Sequence, residues 1–293
     1  MKKIVFLLFL IPFLNFSQDD LLDELDSEAE VDNTVTAAFK GLKVINFETT
    51  KLANKGDLYF VVSHRFGTVK NGIDDFFGFD QAVTQIKFIY GFTDWLNIGA
   101  ARSSNQQKYG LHAKYRLLHQ KEGGSPVAIV GYNLITANTA LKKDNYPKIE
   151  FSDRLVYTSQ VIISRKFCEK LSMLISPTFI HENLATQSIQ VENGLPVAYY
   201  EDNNQFAVGL GARYKISKRV TINADWGIHL NRNEHSNYRD PISVGVDIET
   251  GGHVFQVHFT NAQAMFEEGY IIQGAGNWQK GDFFFGFNLN RVF

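Results

Sequence analysis

Apolar and polar positions alternate along most of this chain with a period of two, the spacing of a strand that turns one face to hydrocarbon or core and the other to polar surroundings. The clearest run sets Phe206, Val208, Leu210, Ala212, Tyr214 and Ile216 against Gln205, Ala207, Gly209, Gly211, Arg213 and Lys215. Tyr109, Leu111, Ala113, Tyr115 and Leu117 alternate in the same way with Lys108, Gly110, His112, Lys114 and Arg116. The pattern predicts strands over 57–67, 81–92, 95–103, 107–118, 127–138, 153–166, 171–183, 204–216, 219–230, 242–249, 253–261 and 283–293. Strands of soluble sandwiches run about 5 to 6 residues, whereas most of these reach the length a tilted strand needs to cross a bilayer. The fold class predicted is therefore all-β: a transmembrane antiparallel β-barrel of about 12 strands, the even count such barrels favour.

The connections alternate short and long, with Ser104–Gln106 a short exception. Short periplasmic turns and long extracellular loops follow from that alternation. Two further segments have strand character, Lys43–Thr49 and Tyr270–Trp278. Adding the first to the wall would reverse every later strand, so it is assigned to a pre-barrel segment, and the second to an external excursion. Gly209→Ser, on the polar parity, is expected to be mild beside Leu210→Arg on the apolar one.

Composition sets the compartment. Met1–Ser17 reads as a cleavable signal, with Lys2 and Lys3 before the apolar run Ile4–Leu14. After it no stretch of about 20 apolar residues follows, which removes spanning helices. The 25 phenylalanines then need apolar surroundings from another source. Residues 18–56 form an acidic periplasmic leader and pre-barrel segment, and 57–293 the barrel; from Gln18 to Phe39 the leader holds eight Asp or Glu and no Lys or Arg. That charge argues against nucleic acid as a partner. The lone Cys168 has no intramolecular disulfide partner.

If the apolar parity meets lipid, the other parity lines the lumen. It places Arg65, Lys87, Lys108, Lys114, Arg116 and Arg213 there, with Asp225, Asp247 and Glu249 concentrated on two consecutive strands. Basic and acidic walls across a narrow aqueous lumen set up a transverse field that selects solutes by sign. The expectation is a passive channel or binding barrel for a small polar, anionic solute. The alternative is that these charges pair with one another and close the barrel, leaving a structural or interaction role toward a periplasmic partner. None of the eight histidines has the spacing of a metal site, and no Ser, His and Asp spacing singles out a triad, so no metal, cofactor or enzymatic activity is expected.

The final run Phe283, Phe285, Phe287, Leu289 and Phe293 resembles the signal by which outer-membrane barrels are recognised for assembly. Phe285, Phe287, Leu289 and Phe293 are its candidate residues, and the barrel-assembly machinery and outer-membrane lipid the implied partners. Further segments resemble a Bacteroidetes family of outer-membrane β-barrels: Ala38-Phe39-Lys40, His64-Arg65-Phe66-Gly67, Tyr90-Gly91-Phe92-Thr93-Asp94, Arg102-Ser103-Ser104, Lys114 through Gln120, Gly286-Phe287-Asn288 and Arg291-Val292-Phe293. The resemblance covers nearly all of the chain beyond the signal. It implies a fold and an outer-membrane location, and it carries no catalytic residues.

Overall fold

The computed structural model describes residues 33–36, 38–250 and 253–293; the expected signal and most of the acidic leader lie outside them. Thr34–Phe293 forms one compact unit. Its strands fall where the alternation predicts them: β1 Leu58–Thr68, β2 Ala82–Thr93, β3 Leu96–Ser103, β4 Lys108–Leu118, β5 Ala128–Asn138, β6 Leu155–Lys166 and β7 Leu171–Glu182. The series continues with β8 Gln187–Glu192, β9 Leu195–Tyr200, β10 Asn204–Lys215, β11 Val220–His229, β12 Ile242–Thr250, β13 His253–Thr260 and β14 Phe284–Val292.

Twelve of these strands pair antiparallel in a closed ring, β1-β14-β13-β12-β11-β10-β7-β6-β5-β4-β3-β2. The seam is the pairing of β1 with β14, in register from Tyr59 opposite Val292 to Arg65 opposite Gly286. Closure matters because every wall strand then has two neighbours, so no row of backbone N–H and C=O groups faces hydrocarbon unpaired. The outer face is the apolar parity: Phe88, Phe92 and Leu111 are 49%, 60% and 62% exposed, a degree of apolar exposure that suits lipid and not water. β8 and β9 stand apart as a two-stranded hairpin within the long 183–203 connection, an element the sequence reading leaves as loop.

Two segments depart from expectation. Residues 39–53 do not sit outside the wall: Leu42, Val44, Ile45, Phe47 and Glu48 are at most 3% exposed, enclosed by the inward faces of the strands. The connection between β13 and β14, expected to project outward, folds inward instead and carries the short helix α1, Glu267–Ile272, all six residues of which are buried. The reason is apolar content. Phe266, Tyr270, Ile271 and Ile272 have more surface to hide than a solvated loop tolerates, and the barrel interior buries it.

Candidate functional site

The lumen is the site, and the first fact about it is that it is filled. One segment enters from the end with the short turns, the other from the end with the long loops, and they meet in the middle. The Phe47 and Tyr270 rings pack edge to face with centroids 5.1 Å apart. Lys43 Nζ donates to the Met265 carbonyl at 3.3 Å and lies 3.7 Å from Glu267. Burial raises the Glu267 carboxyl from its ordinary value, and burial together with the nearby Lys87 lowers the Lys43 ammonium.

The lumenal parity of the wall makes room for these segments. A Cβ on Gly209 would stand 2.3 Å from the Phe47 ring and one on Gly227 2.9 Å from it, while a Cβ on Gly110 would meet Phe266 at 2.6 Å. Absent side chains at these positions are what let two aromatic residues dock against the sheet.

The predicted lumen residues face inward, and most of them hold the plug. Glu48 is 2% exposed, and its two oxygens are shared out: Oε1 to Lys87 Nζ and Oε2 to Lys114 Nζ, each at 3.0 Å. Burial alone would raise this carboxyl, but Lys87, Lys114 and Lys43 together overcome it and hold Glu48 well below the usual carboxylate range. Lys108 pairs with Glu268 Oε1 at 3.0 Å, and Thr136 donates to the same oxygen at 2.8 Å. Arg65 ties both segments at once. Its guanidinium donates to the Asn46 side-chain oxygen and to the carbonyls of Ala262 and Ala264 at 2.7 and 2.6 Å.

On the acidic side Asp225 does not face a bare lumen. Its Oδ2 accepts the backbone N–H groups of Ile45, Asn46 and Phe47 at 3.1, 2.6 and 3.3 Å, clamping a turn of the plug by its main chain. Asp247 accepts from Gln256 at 2.6 Å. Glu249 pairs with Lys40 at 2.6 Å, and Arg213 donates to the Ala38 carbonyl at 2.8 Å. Arg116 opens on a recess of about 490 Å³ at the short-turn end, lined also by Lys40, Lys51, Asp94, His119 and Glu249. Among the described residues no set of three His, Cys, Asp or Glu stands together as metal ligands. Phe285, Phe287 and Leu289 lie on the outward parity of β14, and Phe293 is exposed beyond it.

The residues that sequence reasoning misses are the acids of the plug, Glu48, Glu267 and Glu268, with Asn46, Phe47 and Tyr270. One signal for them was present: glycines at 110, 209, 211, 227 and 245 on the lumenal parity, where a merely water-filled or self-paired lumen has no need of empty positions.

The model of a family described as "Membrane bound beta barrel domain (DUF5777)" matches residues 39–293. The chain belongs to this family. The matched span begins at Phe39, so the family domain takes in the lumenal segment along with the wall. No curated protein matches the chain. Among solved structures, the NanC porin is similar at 9% identity and a TM-score of 0.47, over 80% of this chain and 98% of that one. The KdgM porin is similar at 8% identity and a TM-score of 0.46, over 81% and 99%. An outer membrane channel from Pseudomonas putida F1 is similar at 16% identity and a TM-score of 0.47, over 83% and 97%.

Proposed function

We propose that this membrane-bound barrel is an outer-membrane channel for a small, polar, anionic solute, shut in the present conformation by its own two lumenal segments. In this reading the short turns face the periplasm and the long loops the exterior. The observation that carries it is the chemistry of the plug–wall contact. A lumen meant to stay filled is stabilised as well or better by apolar packing, because buried charges lose their hydration. Apolar plug residues such as Val44 and Phe266 do pack against Val130, Tyr132 and Leu134 of the wall, but the wall also meets the plug through Arg65, Lys87, Lys108, Lys114 and Asp225, buried charges that apolar packing alone would not need and that leave a charged, wettable stripe once the plug withdraws. The reading assigns no reaction to the protein.

Single-channel recording in a planar bilayer tests it. Wild type should conduct rarely, whereas deletion of 39–50 together with replacement of 264–274 by a short flexible linker should give stable ohmic steps. In the opened variant, replacing Lys114 and Arg116 by Gln should lower the preference for anions and Asp247→Asn should raise it, read from reversal potentials in a salt gradient. If the double variant still forms a heat-modifiable barrel yet never conducts, the closed barrel with a structural or interaction role becomes the better account. The outward Phe285, Phe287, Leu289 and Phe293 serve assembly in the same reading. Replacing all four by Ala should slow insertion without touching selectivity.

A further inference from the structure

Strand β4 carries its polar residues on one line through the barrel. Lys108, Gly110, His112, Lys114 and Arg116 alternate with outward Tyr109, Leu111, Ala113 and Tyr115, so inward positions recur along a single wall about every 7 Å, with Gly110 and His112 between Lys108 and Lys114. Each end of this line is occupied by a different carboxylate. Lys108 holds Glu268 of the segment from the long-loop end, and Lys114 holds Glu48 of the segment from the short-turn end. Lys87, two strands away on β2, takes the second oxygen of Glu48. Arg116 continues the line into the recess at the short-turn end.

The division of charge between fixed and insertable parts is what gives this meaning. At these contacts the nearest bases belong to the wall and the acids to the segments that fill it; the plug's own Lys43 stands farther from Glu48, at 3.9 Å. Two ammonium groups 3.0 Å from separate oxygens of one carboxylate are the arrangement that would recognise a free carboxylate, since charge-assisted hydrogen bonds are strong and each oxygen is satisfied by a different donor. We infer that Lys87 with Lys114, and Lys108 with Thr136, are carboxylate-binding stations for the solute, and that Glu48 and Glu268 occupy them as built-in stand-ins. The substrate class is then an organic anion bearing a carboxylate, which opens the barrel by competing with the plug for the same lysines. This rests on the channel reading for its transport meaning, but the stations themselves do not need conductance to be detected.

The test is chemical rescue followed by competition. Glu48→Ala, refolded from denaturant into detergent micelles in the presence of acetate, should regain thermal stability saturably, and acetate should act at about tenfold lower concentration than chloride, as two directed hydrogen bonds predict. Glu48→Ser, which also vacates the carboxylate's place, serves as the second variant should Glu48→Ala fail to refold without the anion. The triple variant that adds Lys87→Met and Lys114→Met should show no such rescue. In wild type, succinate at constant ionic strength should raise the rate of proteolysis within residues 39–53, whereas chloride should not. Equal effects of acetate and chloride on Glu48→Ala overturn the carboxylate stations. Rescue without any effect of succinate on wild type overturns the solute role and leaves the lysines as anchors of the plug. Rescue and competition in a protein that never conducts leave the stations standing while removing the channel.

Discussion

Glu48 concentrates the ionic contact between plug and wall in one residue. Its carboxylate is enclosed, and what offsets the lost hydration is contact with two lysines and proximity to a third. Removing one partner of such a group leaves the others buried without compensation, which costs about 3 to 5 kcal/mol in comparable cases. Glu48→Gln should therefore loosen the plug strongly, seen as faster proteolysis within 39–53 while the barrel stays folded. The pH dependence has a definite sign. Because the carboxyl is depressed in the folded protein, its contribution is present at all pH above its ordinary value of 4.5 and is lost only as pH falls below that value toward the folded one. Plug docking by Glu48 should thus hold from pH 8 to pH 5 and fail on stronger acidification. Glu267 works in the other direction: raised by burial, it favours the docked state at low pH and weakens it as pH rises above 4.5. A proteolysis profile that is flat through pH 3 would count against the role given to Glu48, and Glu48→Gln should abolish the acid limb in any case.

At the scale of elements, the wall was legible and its contents were not. Alternation with period two depends only on a residue and its second neighbours, so the twelve strands could be placed to within a residue or two from local pattern alone. The lumenal segments have no such period. Leu42 to Glu48 is packed from every side, and a segment buried all round looks in sequence like a short strand or a stray apolar loop. Tyr270–Trp278 has strand character but no place in an even ring, which assigns it to an external excursion, whereas Tyr270–Ile272 belongs to the buried helix α1. Lys87, Lys108 and Lys114 could be assigned to the lumen by parity, but their partners could not, because each acid lies far away along the chain. The glycines recorded that absence of information in another form. Gly209→Ser, mild on parity alone, drives a side chain into the Phe47 ring and should displace the plug, whereas Leu210→Arg, on the lipid side of the same strand, should destabilise the barrel itself by about 2 to 4 kcal/mol near the bilayer midplane. The two are separated by assay: Gly209→Ser should alter proteolysis of 39–53 with an intact barrel, and Leu210→Arg should reduce the folded fraction in lipid. If both act only on the folded fraction, Phe47 is not a removable contact.

For the whole molecule, closure of β1 on β14 leaves no free edge from which denaturant can begin, so the protein should migrate as a compact species on a gel until boiled. Recovery in a soluble fraction, or migration that does not change on heating, would contradict the lipid-facing assignment of the outer parity. The order of the chain adds a consequence for biogenesis. One half of the plug precedes β1 and the other lies between β13 and β14, so the two halves bracket almost the entire wall in sequence. A nascent barrel cannot complete its interior until the residues after β13 have been delivered, and the Phe47–Tyr270 and Lys43–Glu267 contacts join a segment made before the wall to one made after eleven of its twelve strands. The filled lumen is in that sense a check on completeness: a chain truncated before residue 267 would present a half-filled interior and an open seam together, giving quality-control proteases two marks of the same defect.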